Sequence, residues 1–506
     1  MFNVPKAVAA SLLLLHGARA DICSTLPISA PDIEIVKPFT AKWSGEQLEY
    51  WSTGCGKLHP SCILYPKNAQ EVAAIVEALG ETNETFAIKS GGHNPNLYFA
   101  SIDGGPLIST GSLNQVELDT ATETAKLGPG NRWDEVANKL DGSGYSIVGG
   151  RLGNVGVGGY MLGGGLSFMS TEYGWAANSV ESFELVLANA TIINVTRDSH
   201  PSLFKSLKGG GNAYGIVTSF TVKAYKQGTV WGGNYFFNAT PATDAALLEA
   251  VADFAMHYPD PKAGIILTAE RTGLGAVDFW TMFLYYNGEQ PPAGVFDRFK
   301  AIKPWSDTTK TRTYAELVGF NNWAVLKGSV YTIGTETIPM PSLGAANSST
   351  VAASTLQDVH RNWRDVGTPA LLKVGGLIAS TAYQPVPRSM AAVARAKSGD
   401  LLDLDDDADL IVMEYNYSWL LEGAERRVVD QALQDTYNGV RERVVAGQAA
   451  GELPADAYLP LFANDAYFRQ DYFGRLRPES REMAAAARQA VDPEGFFASR
   501  TGGLKM

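Results

Sequence analysis

Fifty-two glycines stand in this chain of 506 residues, and their crowding into the first half constrains the fold more than any other feature. They gather in Ser90-Gly91-Gly92-His93, in Gly149-Gly150, between Gly156 and Gly165, and between Gly209 and Gly215. Turns between elements do not require that density. Glycine has no Cβ, so such blocks mark places where backbone must approach something closely.

Between about Cys62 and Lys226, short β-rich runs alternate with helical stretches, for example Ala69 to Leu79 as a helix and Phe86-Ala87-Ile88 as a strand. From about Gly228 to Leu453 the texture changes. Strand candidates such as Ala276 to Tyr286 and Asp409 to Trp419 are separated by helical stretches such as Ala245 to Met256, which reads as a second α+β domain. The last fifty or so residues return to short helices and turns. The length fits two to four domains, and the acidic cluster from Asp403 to Asp409 reads as a solvated turn.

Acidic residues outnumber basic ones 53 to 41, a formal net charge of -12. No Lys/Arg run could track a phosphate backbone, so nucleic acid is not an expected partner. Lys6, an apolar stretch from Ala7 to Leu15 and Ala18-Arg19-Ala20 make a secretory signal peptide, too short in its apolar part for a membrane span. Six Asn-x-Ser/Thr sequons, at Asn83, Asn189, Asn194, Asn238, Asn347 and Asn416, fit a glycosylated protein in the secretory pathway, with an extracellular destination expected. The three cysteines are Cys23, Cys55 and Cys62. One disulfide is expected, and Cys23 with Cys62 is the favoured pairing because its longer loop constrains the unfolded chain more.

Ser90-Gly91-Gly92-His93-Asn94 follows a short apolar strand, so its amides can curl into a nest for a pyrophosphate while the histidine points along the bound group. The run from Gly149 to Gly165 is not a dinucleotide fingerprint. Gly156-Val157-Gly158 would need a third glycine at a position occupied by Met161. A glycine-lined wall for a flat ring system and a diphosphate suits it better.

Three blocks in order, Lys89 to His93, Gly149 to Gly165 and Lys208-Gly209-Gly210-Gly211-Asn212-Ala213-Tyr214-Gly215-Ile216-Val217-Thr218, resemble the FAD-binding domain of the vanillyl-alcohol oxidase superfamily. The closing segments Phe462-Ala463-Asn464-Asp465-Ala466, Asp492-Pro493-Glu494-Gly495 and Gly502-Gly503-Leu504-Lys505 are similar to its berberine bridge enzyme-like branch, in the fungal type. The resemblance implies an α+β fold: a PCMH-type two-part FAD-binding domain, plus a substrate domain with an antiparallel sheet and covering helices. The expected boundaries are a signal peptide over 1–20, an N-terminal tether over 21–57 and the FAD-binding domain over 58–227. The substrate-binding domain would span 228–454, and a C-terminal segment over 455–506 would return to the FAD domain.

Carried onto this chain, the resemblance implies a single covalent bond from His93 to the flavin 8α carbon, with Lys89, Ser90, Gly91, Gly92 and Asn94 around the pyrophosphate. Val155, Gly156, Gly158, Gly159, Tyr160, Gly163 and Gly164 would line the ring and ribityl chain. Asn178, Ile216 and Val217 would hold the adenosine end, and Asn464 would approach the ring from the C-terminal segment. Leu152 stands where doubly linked relatives have a cysteine, so no cysteinyl link is possible. Phe462 stands where many relatives have a tyrosine, so that phenol is missing. Covalent attachment would make the flavin a better electron acceptor, and Val155 implies room for dioxygen. No metal is called for.

The expected activity is therefore an oxidase that takes a hydride from a small organic substrate, such as a secondary-metabolite alcohol, amine or aromatic intermediate, and makes hydrogen peroxide. A flavin-containing cyclase or a carbohydrate oxidase is the alternative. The catalytic base should come from the middle domain. On the strand Asp409 to Tyr417, a glycan on Asn416 would face outward with Glu414 and Val412, which leaves Tyr415 as the substrate-facing candidate. Tyr285, Asp278 and Tyr383 are weaker candidates of the same kind. The sequence leaves the oligomeric state open.

Overall fold

The computed structural model describes residues 21–273 and 277–506. The signal peptide expected over 1–20 lies outside the described residues, as does Ala276 at the head of one expected strand.

Strands β1 (Glu34–Val36), β2 (Ile63–Tyr65), β3 (Ala87–Lys89) and β4 (Leu107–Ser109) form a sheet in the order β1-β2-β4-β3, with β4 parallel to both β2 and β3. Parallel neighbours need a crossover. Helix α1 (Ala69–Gly80) lies on the path from β2 to β3. It starts where the Asn68 side chain accepts the Glu71 N–H at 2.9 Å. Val72, Ile75, Val76 and Leu79 recur on one face and are all buried, against Leu26, Phe86 and Phe497 among others. Each such aliphatic side chain contributes about 1.5–3 kcal/mol when buried.

A second, antiparallel sheet holds β5 (Val116–Asp119), β6 (Thr124–Leu127), β7 (Val180–Val186), β8 (Ile192–Thr196) and β9 (Ile216–Lys223), in the order β5-β6-β9-β7-β8. The third and largest sheet carries six long strands: β10 (Val230–Asn238), β11 (Ala263–Thr272), β12 (Asp278–Tyr286), β13 (Val330–Pro339), β14 (Ile378–Val386) and β15 (Leu410–Trp419). Their order is β10-β12-β11-β14-β15-β13, antiparallel throughout.

Helices α2 (Pro241–Met256), α3 (Ser348–Lys373) and α4 (Glu425–Ala449) cover one face of this sheet. Successive strand residues point to opposite faces. Leu267 and Ala269 of β11, Tyr383 of β14, and Met413, Tyr415 and Tyr417 of β15 join the core shared with those helices. Their neighbours Ile266, Thr268, Glu270, Ser380, Ala382, Glu414 and Asn416 face a cavity instead. Among the described residues no helix is long and apolar enough to cross a membrane.

Both chain ends are tied to the first sheet. Cys23 is disulfide-bonded to Cys62, leaving Cys55 as a buried thiol. At the other end Phe497 enters the core under α1, and the Arg500 guanidinium donates to the Glu84 carbonyl at 2.7 Å. The acidic cluster is not simply a solvated turn. Asp409 is buried and receives the Arg388 guanidinium at 2.7 Å, while Asp405 bridges Arg395 and Arg477.

Candidate active site

The glycine blocks and the open face of the large sheet enclose one cavity of about 380 Å³, within the range of small-molecule and cofactor sites. At its centre the glycine wall is two backbone strips packed too closely to admit a side chain between them. A Cβ on Gly91 would lie 2.5 Å from the Gly156 Cα, and a Cβ on Gly156 only 2.2 Å from the Gly91 nitrogen. Ser90 joins the two strips, donating its hydroxyl to the Pro129 carbonyl at 2.6 Å and accepting the Gly158 N–H at 3.1 Å. Gly92, Asn94, Val155, Gly159, Tyr160, Gly163, Ile216 and Val217 also line the cavity.

Asn464 clamps the C-terminal segment to that wall. Its carbonyl oxygen accepts the Gly165 N–H at 3.1 Å and its amide donates to the Tyr160 carbonyl at 3.2 Å. A Cβ on Gly163 would meet this amide at 2.6 Å. Phe462, also at the cavity, stacks on Trp175 with ring centroids 5.3 Å apart. Leu152 lines it as an aliphatic side chain.

His93 projects into the cavity with its ring stacked on Trp51 at 4.4 Å and 2°. Trp51 stacks in turn on Tyr331 at 4.1 Å. Burial, helped by the charge of Arg132, pushes the imidazole down to about 3, so it is neutral at physiological pH and keeps a lone pair for bonding.

Facing the glycine wall is a group of polar side chains that the sequence reading missed. Arg151 donates to the Gln384 amide oxygen, and the Gln384 amide donates to Asp465 at 3.3 Å. Arg151, Asp465 and Glu414 all line the cavity. Burial pushes the Asp465 carboxyl well up, and the neighbouring Glu414 pushes it further. Burial likewise raises Glu414, while the Arg151 guanidinium opposes the shift in both. Two neighbouring carboxyl groups in an apolar setting disfavour each other's ionised form, and they titrate as a pair. Such a pair can accept a proton from a bound hydroxyl or amine.

Several expected site residues stand elsewhere. Tyr415 is fully buried on the helix side of β15 with its hydroxyl unpartnered. The face assignment was inverted because Asn416 lines the cavity with Glu414 instead of facing solvent. Asn416 is half-buried at the cavity, whereas the sequon residues Asn83, Asn189, Asn194, Asn238 and Asn347 are exposed. Tyr285 packs on Phe168, Tyr383 bonds His360 at 3.1 Å, and Asp278 pairs with Arg364 at 2.7 Å, all away from the cavity.

Lys89 is buried in an ion pair with Glu46 at 2.8 Å, beneath the cradle and not in it. The Asn178 amide donates to Asp400 at 2.9 Å and its carbonyl accepts the Trp175 N–H at 2.8 Å, so it holds a turn and leaves the cavity wall to others. Gly164, at φ +105, is likewise a turn residue behind the wall. Signals for the missed groups were present: an arginine inside an apolar glycine-rich run at Arg151, and an acid within the apolar strand at Glu414.

Residues 60–196 match the family model described as an FAD binding domain. A protein of Arthroderma benhamiae named as an uncharacterized FAD-linked oxidoreductase is 40% identical over 484 residues, covering 95% of this chain and 94% of its own. Among solved structures, a carbohydrate oxidase from Microdochium nivale shares the fold with a TM-score of 0.74 at 18% identity, covering 96% of this chain and 99% of its own. Berberine bridge enzyme from Eschscholzia californica does so with a TM-score of 0.69 at 17% identity, covering 96% of this chain and 98% of its own. At those identities the two structures speak for the fold alone.

Proposed function

The chain belongs to the FAD-linked oxidoreductases of the vanillyl-alcohol oxidase superfamily, and on that premise we propose that it is an oxidase acting on a small organic alcohol, amine or aromatic intermediate. The observation that carries this reading is the placement of a proton-accepting carboxyl pair opposite a glycine wall in one cavity.

The residues present fit FAD. Gly91 and Gly156 let two backbone strips pack directly on each other, Gly159 lines the cavity with open space where a side chain would stand, and His93 offers a neutral imidazole beside them. Ser90, Gly92 and Asn94 would hold the pyrophosphate, Val155 to Gly163 the ring, and His93 the single covalent attachment. When bound, FAD supplies a two-electron acceptor whose electrons pass on to dioxygen as hydrogen peroxide.

The chain itself supplies the proton chemistry and the positioning. The charge of Arg151 favours the ionised form of Glu414 and Asp465, so that the pair takes the proton from a substrate O–H or N–H as the adjacent C–H bond is broken. Gln384 fixes the guanidinium and Asp465 in place. Phe462 and Trp175 close the ring end with apolar surface, which excludes water. Val155 is partly exposed at the cavity, consistent with access for dioxygen. Entry to the secretory pathway and glycans at the five exposed sequons complete the proposal.

Anaerobic mixing of the purified protein with a panel of aromatic and aliphatic alcohols and amines tests it. The flavin spectrum should bleach with at least one of them, and air should restore it with one peroxide per turnover. Conversion of a substrate to a cyclised product without bleaching would favour the cyclase reading instead.

A further inference from the structure

A third carboxylate enters the same cavity from β11. Glu270 lies directly opposite Phe279 of β12 on one side and Ser380 of β14 on the other, and Ser380 lies opposite Asn416 of β15. Glu270, Ser380 and Asn416 all line the cavity. Glu414 is two strands away and one face-step along, about 12 Å between Cα atoms by sheet spacing, so the two acids mark separate poles.

The poles differ in their partners. Arg151 compensates Glu414 and Asp465. Among the described residues the Glu270 carboxylate has no hydrogen bond or ion pair, and burial alone pushes it up to about 7. The adjacent Arg271 does not neutralise it, because strand alternation sends its guanidinium to the other face, where it donates to the Arg364 carbonyl of α3 at 3.0 Å.

Rings surround the acid. Tyr331, whose phenol feels the Glu270 charge, stacks on Trp51. On the opposite side Phe279, Phe236 and Trp323 form an aromatic shelf, with Phe236 6.4 Å from Phe279 and 5.5 Å from Trp323. Phe283, 6.0 Å from Trp323, joins that shelf to the cavity.

We propose that Glu270, with Ser380 and Asn416, is a subsite for a protonated amine carried on an aromatic or apolar body, the body lying along the Phe279–Phe236–Trp323 shelf. The proposal deepens the functional reading above and rests on it, since it takes this cavity as the place where substrate binds. A carboxylate without a cation in an apolar cavity is costly, and an ammonium restores the missing charge. Ring faces attract the same ammonium, and the hydroxyl oxygen of Ser380 and the side-chain carbonyl oxygen of Asn416 can accept hydrogen bonds from its remaining N–H groups. A neutral alcohol of the same shape gains one ordinary hydrogen bond and no charge compensation.

Isothermal titration of the full protein, its flavin reduced beforehand with dithionite under nitrogen, with naphthylmethylamine and with naphthylmethanol tests the subsite. The amine should bind about tenfold or more tightly than the alcohol. That preference should vanish in Glu270→Gln, which removes the charge, and in Ser380→Lys, which places a tethered ammonium beside it. It should survive in Glu414→Gln, even where that variant no longer reduces its flavin. Equal binding of amine and alcohol to the wild type, or a preference that survives in either Glu270→Gln or Ser380→Lys, would overturn the subsite. Because titration reads binding without turnover, a failed subsite leaves flavin reduction in the wild type intact. A failed oxidase reading would leave the amine preference intact.

Discussion

Replacing Glu414 with glutamine keeps the shape of the side chain and removes the proton acceptor, which is expected to slow flavin reduction by about 10²- to 10⁴-fold. The pH dependence has a definite sign. Both carboxyl groups of the pair are raised, and the accepting form is the ionised one. Activity should therefore fall as pH drops through a value above the ordinary carboxylate range of about 4, and that acidic limb should disappear in the variant. Stopped-flow reduction across pH 4 to 9 reads both effects, about five pH units being enough to bracket the limb. Tyr415 makes the opposite case. Its hydroxyl is buried without a partner on the helix side of the sheet, so Tyr415→Phe should leave kcat within about twofold. It should also leave the unfolding midpoint unchanged or higher, since an orphaned polar group costs about 1–3 kcal/mol.

Strands and helices were more readable from the chain than the side chains of the site. Helix α1 and strand β15 carry apolar periods of the right kind, and both form within two residues of where those periods place them. The alternation along β15 was legible too, with Glu414 and Asn416 on one face and Met413, Tyr415 and Tyr417 on the other. Which face meets the cavity was not, because that depends on the layers that cover the sheet, and α2, α3 and the glycine wall come from distant parts of the chain. Lys89 and Asn178 show the same limit, since Glu46 and Asp400, the partners that draw them away from the cavity, lie far off in sequence. The Cys23–Cys62 pairing was readable to the extent that its loop is the longest the three cysteines allow. Cys23→Ser should cost about 2–4 kcal/mol, seen as a lower urea midpoint with an unchanged slope.

At the scale of the whole molecule, three distant segments build one site. The N-terminal glycine blocks supply the wall and Arg151, the large sheet supplies Glu270 and Glu414, and the C-terminal segment closes the gap through Asn464 and Asp465. The division of labour follows from the physics of each part. Glycine backbone can approach a flat cofactor closely, whereas a sheet with one face packed on helices has its other face free to display acids and aromatic rings toward a substrate. Each of these roles requires FAD bound in this cavity and joined to His93. That attachment is tested most directly by the absorbance of wild type and His93→Ala after acid precipitation and washing. A yellow wild-type pellet beside a colourless His93→Ala pellet is the predicted result. A colourless wild-type pellet, or colour retained by His93→Ala, would contradict it.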